Sequence, residues 1–512
     1  MEVSNTVLVL SISCLLAFWI WLRNKRNFWK QLGVETPPYS LILGHLRSPF
    51  FHGGSVAERV QRIYQYVKSR SLKYVGLYVL FEPWFVVIDL DLIKSIMQSD
   101  FQHFTDRAAK EVEGEPLTAH LLSLKGERWK QMRRTLTPAF TSGKMKMMFE
   151  TLMDCTHGLK KVMDKELESP EVDIKDILGR FTTDIIGTCA FGIECNSLEN
   201  PDNEFREKGR KAFQVPNKAS SSIFRLFLDK SPKLIKFLNI KLVPQDINDF
   251  FMSVVKNTIE YREKNNVSRK DLLQLLIDMK NKKDDKAELN MGDSKERENF
   301  SISEDDIVAQ MFVFFEAGFE TSSTTMTFCL YELSKNKSIQ NKLRNEIRHV
   351  LTKYGDKLTY DAMMNMPYLD KVISETLRKY PPGTVLLRTC TKRYKLPGTE
   401  IILNEGVKVF IPIYGIHWDP DIYEDPEKFD PERFSDENKK LRHDFSFLAF
   451  GEGPRMCIGM RFGLMQAKVG LITLLQNYEF DVSKKTKEPL EWDPKFLLLS
   501  NLGDIWLKHK RI

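Results

Sequence analysis

The chain has 512 residues, 42% hydrophobic and 28% charged, which supplies apolar material for a large core and excludes a disordered chain. Its 76 basic and 69 acidic side chains are interspersed and leave a formal net charge of +7, without the basic arm that binding to nucleic acid calls for. Seven cysteines (14, 155, 189, 195, 329, 390 and 457) form neither C-x-x-C nor a Cys/His zinc spacing, so no disulfide framework and a reducing compartment are expected.

Val3–Leu22 is a 20-residue stretch without charge, ending in Trp19 and Trp21, and that length crosses a bilayer as a helix. Arg23, Lys25, Arg26 and Lys30 follow it, against a lone Glu2 before it, so the positive-inside rule keeps the rest of the chain cytoplasmic. A cleaved secretory signal is the competing reading. The run is long for that, its basic residues are on the wrong side, and no small-x-small cleavage site follows. The expected organisation is an anchor at 1–22, a basic, Pro-containing linker at 23–38 ending in Thr36-Pro37-Pro38, and one catalytic domain at 39–512.

From about residue 55 to 380 the apolar spacing is mostly helical, with short strand-like runs near Tyr74–Ile88 and Val407–Ile413. Lys280–Asn299 (KNKKDDKAELNMGDSKEREN) is polar and aperiodic, the one segment expected as a mobile surface loop. Tyr414–Phe434 is crowded with Pro and Asp and predicts an ordered coil. There is no internal repeat. The fold class is mainly α with minor β (α+β), one unit behind the anchor.

Trp129 and Arg133 lie four apart in GERWKQMRRTLTPAF and share a helix face, which by itself is an amphipathic helix with a core tryptophan. SEDDIVAQMFVFFEAGFETSSTTMTFCLYEL (303–333) reads as one helix, capped by Ser303 with Asp306 three residues on. Its Glu316, Glu320 and Glu332 argue against a second membrane span. Ala317 and Thr321 fall on one face, and so do Glu316 and Glu320, whose mutual repulsion is expected to raise one pKa. Glu316 reads either as a proton-relay member or as the partner of an unseen base, the latter favoured. Glu375 and Arg378 pair an acid with a base on one further helix face.

Cysteine chemistry with metals requires a thiolate, and burial alone raises a thiol's pKa, so such a site must supply positive potential. In FLAFGEGPRMCIGMRFG (447–463), Cys457 opens a run with helical apolar spacing, whose free N–H groups and dipole face the sulfur. Gly451 and Gly453 allow a tight turn, Gly459 allows close backbone approach, and Arg455 adds a cation able to bind an acidic cofactor edge. One soft thiolate without a second protein ligand suits an iron that already has its other ligands, as in a haem. A structural cysteine in a glycine turn is the alternative. It leaves unexplained the joint placement of Phe450, Gly453, Arg455, Cys457 and Gly459 within ten positions.

The F-x-x-G-x-R-x-C-x-G run resembles the haem-binding signature of the cytochrome P450 superfamily, the haem-thiolate monooxygenases. The other blocks resemble that family in the right order, from the anchor nearly to the C-terminus. The resemblance implies the cytochrome P450 fold and haem b, with Cys457 as axial iron ligand and Phe450, Gly453 and Gly459 in its loop. It makes Trp129, Arg133, Arg388 and Arg455 partners of the haem propionates. Ala317-Gly318-Phe319-Glu320-Thr321 resembles the oxygen-activating segment: the Thr321 hydroxyl holds a water or the bound oxygen, Glu320 relays protons, and Gly318 permits a local opening of the helix. Glu375, Arg378 and Arg433 resemble the network bracing the coil that presents the thiolate. Segments near Phe101–His120, Gly383–Leu387 and Phe496–Leu498, with the helix face at Phe314, resemble the recognition segments, making Phe314, Leu387 and Phe496 substrate contacts and the substrate lipophilic. Glu316, Ala449 and Met456 depart from the common pattern, and none of them removes a ligand.

SETLRKYPP, FFEAGFETSS and CIGMRFG look most like insect microsomal enzymes that detoxify plant compounds and insecticides. That likeness implies a monooxygenase in the endoplasmic reticulum membrane, drawing electrons from NADPH through a flavoprotein reductase, with cytochrome b5 as a further partner. Lys130, Arg134, Lys144 and Lys146 are candidates for docking the acidic reductase, or else an ordinary solvated face. Two other readings stay open: a reductase-independent haem-thiolate isomerase or dehydratase, and a membrane-tethered haem sensor or carrier without turnover.

Overall fold

The structure, a computed structural model, describes residues 2–512 except 47, 49, 110, 170, 214–240 and 282–301; most of the loop expected at Lys280–Asn299 therefore lies outside the described residues. Helix α1 (Glu2–Arg26) contains a 22-residue stretch, Asn5–Arg26, with mean hydropathy 2.0, long and apolar enough to cross a membrane and exposed except at Leu22 and Arg26. The chain does not then leave the body as a free spacer. The Arg26 guanidinium donates to the carbonyls of Leu41 and Ile42 at 2.9 Å each, and the Arg26 carbonyl accepts from the Tyr78 hydroxyl at 2.7 Å. Trp29 is fully buried and its indole N–H donates to the Leu77 carbonyl at 2.9 Å. Much of the stretch expected as a linker, 23–38, is thus packed onto the sheet. Pro and basic residues suggested a spacer, but one buried tryptophan supplies more apolar area than such a segment needs to dock.

The main sheet orders its strands β1 (Tyr74–Val79), β2 (Glu82–Val87), β7 (Lys408–Ile411) and β4 (Leu386–Thr389), with β2 and β7 parallel and the outer pairs antiparallel. A two-residue ladder joins β5 (Tyr394–Lys395) to β6 (Ile402–Leu403). A second sheet, absent from the sequence reading, sets β9 (Trp506–Arg511) between β3 (Glu171–Asp173) and β8 (Tyr478–Val482).

Helices carry the rest: α2 (Val56–Ser69), α3 (Gly126–Leu136), α4 (Ser142–Lys165), α5 (Ile174–Ile186), α6 (Glu204–Ala212), α7 (Gln245–Asn265), α8 (Leu272–Asn281), α9 (Glu304–Lys335), α10 (Lys337–Lys353), α11 (Pro367–Lys379) and α12 (Met460–Asn477), with shorter turns between them. At 32 residues α9 is roughly 48 Å long and runs through the core against α5 and α12. Its start is fixed by the expected capping box. The Ser303 hydroxyl accepts from the Asp306 N–H at 3.0 Å while the Asp306 carboxylate accepts from the Ser303 N–H at 3.1 Å. Glu304, Asp305 and Asp306 in the first turn complement the helix dipole. Residues 413–434 form a short helix (Ile413–His417), a coil and the 3-10 turn Pro431–Phe434, close to the expected ordered coil. All seven cysteines are free.

Candidate active site

Cys457 lies in the loop that enters α12. The Cys457 N–H donates to the Phe450 carbonyl, and that of Met456 to the Gly453 carbonyl, both at 2.9 Å, folding the loop back on itself. Gly453 takes φ +73°, and a Cβ there would collide with the Met97 carbonyl oxygen, so only glycine fits. The sulfur faces an internal cavity. Burial raises its pKa, and the Gly459 N–H with the guanidinium groups of Arg107 and Arg133 lowers it. Arg455, expected to bias the sulfur, is committed elsewhere. It donates to the carbonyls of Thr105 (2.8 Å), Leu121 (3.2 Å) and Leu124 (2.8 Å), with its guanidinium 3.9 Å from the Trp129 ring centroid.

The cavity lies beneath α9 and, counted together with its opening to solvent, spans about 1100 Å³. Trp129, Arg133, Phe450, Arg455, Cys457 and Gly459 line one side of it, and Phe314, Ala317, Gly318 and Thr321 the other. Arg388, on β4, stands behind this lining: fully buried, it donates from Nη1 to the Leu387 carbonyl, while Nε and Nη2 have no partner among the described residues. Leu387 and Phe496 are not among the lining residues, so of the three expected substrate contacts only Phe314 faces the cavity.

Arg107 was not singled out from the sequence. It lines the cavity, donates from Nη2 to the Arg455 carbonyl at 2.7 Å and leaves a buried Nε without a partner. Desolvation, and then one another's charge, lower the basicity of these groups, to about 9 for both Arg388 and Arg455. Among the described residues no carboxylate lines the cavity against these cations; Asp106 lies 4.0 Å from Arg455. Open buried donors on guanidinium groups, beside a sulfur held by a backbone N–H, fit a flat ligand with an acidic edge and a metal centre. The residues present therefore fit a haem.

On α9, the Thr321 hydroxyl donates to the Ala317 carbonyl at 2.5 Å, so these two residues share the cavity face as expected. Gly318 serves closeness of packing rather than an opened helix. The helix runs unbroken through it, and a Cβ there would collide with Ile186 on α5. Glu320 is buried outside the lining; burial raises its pKa, and Lys175, Arg210 and Arg206 pull it down. Burial alone lifts Glu316 to about 8, so neither repulsion by Glu320 nor the favoured partner base explains it among the described residues.

Behind the loop, Glu375 and Arg378 are fully buried and form a two-pronged pair, Nε to Oε2 at 2.8 Å and Nη2 to Oε1 at 2.9 Å. Glu375 also accepts from the Asp430 N–H at 3.0 Å and lies 3.4 Å from Arg433. Sequence reasoning missed the next link, His417. Its carbonyl accepts from Arg378 Nη1 at 3.0 Å, and its Nε2 accepts from the Leu448 N–H at 2.9 Å, joining the pair to the loop that carries Cys457. The histidine in IHWDPD gave only a weak signal, since nothing in its spacing marks it.

A fold of this topology with the Cys457 sulfur facing a guanidinium-lined cavity defines a haem-thiolate protein. The family model "Cytochrome P450" matches residues 44–506, and the chain belongs to that family as a monooxygenase. It is 43% identical over 495 residues to "Probable cytochrome P450 6a14" of Drosophila melanogaster, covering 95% of this chain and 96% of that protein. It is 40% identical over 495 residues to "Cytochrome P450 6A1" of Musca domestica (95% and 94%) and 38% identical over 505 residues to "Cytochrome P450 6k1" of Blattella germanica (97% and 95%).

Proposed function

We propose that the chain oxidises lipophilic foreign compounds such as plant toxins or insecticides, with electrons from NADPH delivered by a flavoprotein reductase. The observation that carries this is the juxtaposition, across one apolar cavity, of the Cys457 sulfur and the Ala317–Thr321 face of α9. Haem is the cofactor the family implies; bound here, its iron supplies activation of O₂ and transfer of one oxygen atom to substrate. Cys457 would hold its iron; the Gly459 N–H, Arg107 and Arg133 favour the anionic sulfur against a burial that raises its pKa, and the metal's own charge would complete the deprotonation. Trp129, Arg133, Arg388 and Arg455, together with Arg107, would hold its acidic edge. Thr321 commits its proton to Ala317 and offers lone pairs toward the cavity, while Glu320, set against Lys175, Arg210 and Arg206, would pass protons inward. Phe314 and its apolar neighbours exclude water and favour a lipophilic substrate.

The exposed Lys130, Arg134 and Lys146, on α3 and α4, supply a cationic face that suits an acidic reductase, and cytochrome b5 would use the same face. Helix α1 supports an anchor in the endoplasmic reticulum membrane, with residues 39–512 as the cytoplasmic catalytic domain. The first test is the spectrum of the reduced, carbon-monoxide-bound protein beside that of Cys457→His. A strongly red-shifted Soret band lost in the variant supports the ligand assignment, and a histidine-type band in both refutes it. Reductase- and NADPH-dependent oxygen uptake stimulated by an apolar compound then separates this reading from an isomerase and from a haem carrier.

A further inference from the structure

Glu316, on α9, takes no part in the chemistry assigned above and has neither a hydrogen bond nor an ion pair among the described residues. It is half-buried, while Phe312, Phe315 and Phe319 around it on the helix are closed at 3%, 0% and 1% exposed. The access it keeps is inward. Helix α9 runs through the core, the next residue, Ala317, owes its exposure to the cavity it lines, and Val313, three residues back, lines the same cavity. Glu316 stands at the edge of that lining, flanked by both. Burial alone lifts its carboxyl to about 8, as expected of an acid dehydrated within the protein rather than one on the outer surface. The neighbouring cations answer to other anions. Lys175, Arg210 and Arg206 act on Glu320, Arg107 and Arg133 act on Cys457, and none of the five acts on Glu316.

This position serves proton relay poorly. Five residues separate Glu316 from Thr321, which is about 7.5 Å along the helix axis and about 140° around it, too far for a direct handover. It serves charge recognition well. A buried carboxyl without a partner is costly to ionise, and a cation arriving within reach reverses that cost. The rest of a ligand carrying such a cation must be apolar to suit Val313, Phe314 and Ile186 in the lining. Resting on the monooxygenase reading above, we propose that Glu316 is a specificity-determining residue for one substrate class, lipophilic amines, whose protonated nitrogen it holds as counter-charge at the edge of the cavity. On binding, the carboxyl proton leaves to solvent and the pair of opposite charges takes its place, so the site stays neutral overall. The base that this acid lacks among the described residues then arrives with the substrate. Without a cation the carboxyl remains protonated at neutral pH, and uncharged apolar compounds are not repelled.

The test uses the full-length holoenzyme at pH 8 as wild type, Glu316→Gln, Glu316→Leu and Glu316→Asp, each checked by its carbon-monoxide spectrum. Two probes of one shape differ only in charge: benzyltrimethylammonium and its uncharged carbon isostere, neopentylbenzene. Equilibrium dialysis gives the Kd of each, and the ratio of the two, compared between proteins, cancels partition into lipid or detergent. The preference for the cation over the isostere is expected to fall at least about tenfold in Glu316→Gln and Glu316→Leu, and to survive in part in Glu316→Asp. A preference equal in wild type and Glu316→Gln overturns the proposal, since Gln keeps the shape of the neutral acid and lacks only its charge. Reductase- and NADPH-dependent oxygen uptake is read on the same wild-type protein with both probes. Uptake without a Glu316-dependent preference overturns this proposal alone. A Glu316-dependent preference without uptake overturns the monooxygenase reading and leaves the cation site standing.

Discussion

Replacing Arg388 with Met is expected to move two properties in opposite directions. In the haem-free protein Arg388 is a fully buried guanidinium with two open donor atoms and other cations near it. A buried charge without its counter-charge costs several kcal/mol, so its removal should stabilise that state by about 2–4 kcal/mol. Unfolding entropy near 2.1 cal/mol/K per residue amounts to roughly 1 kcal/mol/K for a chain of this length, which turns the gain into a rise in Tm of about 2–4 °C. With haem bound, the same donors would reach a carboxylate, and charge-assisted hydrogen bonds contribute about 1.5–3 kcal/mol each. Losing both should speed haem loss by roughly 10²- to 10⁴-fold. The sign with pH follows from burial. The Arg388 pKa falls from 12.5 to about 9, so the folded state binds its proton less tightly than the unfolded chain does. The penalty is therefore present throughout the neutral range and lessens only at strongly alkaline pH, where haem-free wild type should gain stability relative to the variant. Thermal unfolding of the haem-free protein and haem transfer to an apoglobin acceptor measure the two arms. A variant that is both less stable without haem and unchanged in haem loss would refute the assignment of Arg388 to an acidic ligand edge.

Glu375→Ala strands Arg378 in a fully buried position and should cost about 3–5 kcal/mol in denaturant unfolding, whereas Arg433→Ala, at the rim with a 3.4 Å contact, should cost about 1 kcal/mol; equal effects would remove the case for a buried pair as the brace. Glu316, raised by burial to about 8, binds its proton more tightly in the folded state, so stability is present in full below the unfolded pKa and is lost as pH rises toward 8. Glu316→Gln should therefore flatten the unfolding free energy from urea titration between pH 5 and pH 8 and raise it at pH 8 by at least about 1 kcal/mol, and a parallel wild-type and variant profile would show that a partner base neutralises this acid.

What the sequence disclosed about the site tracks how local each constraint is. The thiolate loop was legible because its geometry is written into adjacent residues: a left-handed Gly453 pressed on Met97, a folded-back Cys457 N–H and a helix start just beyond. The start of α9 was legible for the same reason, as Ser303 and Asp306 are three apart. Arg107 was not, because what makes it a cavity residue is irregular chain folded against Arg455, almost 350 positions away. The second sheet escaped notice because a three-residue strand at 171–173 is completed by β9 near the C-terminus, and so short a run carries no periodicity. Gly318 was found for the wrong reason. Its sequence neighbours invited an opened helix, whereas the constraint comes from Ile186 on another element.

The arginines of the cavity are not interchangeable, and the difference can be measured. Arg107 and Arg133 both act on the Cys457 sulfur, while Arg388 acts on Arg107 and Arg455 and has no such effect on the thiol. On the proposed reading the first two would therefore serve two anions, the sulfur and the acidic edge of the ligand, and Arg388 would serve one. Removing a cation from near a thiolate raises the thiol's pKa, since the charged form loses stabilisation. In the reduced, carbon-monoxide-bound holoenzyme, Arg107→Met and Arg133→Met should thus lose the red-shifted thiolate band at a higher pH than wild type as the solution is acidified. Arg388→Met should lose haem faster while keeping the wild-type midpoint. If all three variants shift that midpoint equally, the cations act on the sulfur only as an undifferentiated field, and the division of the cavity into a sulfur end and a carboxylate end is wrong.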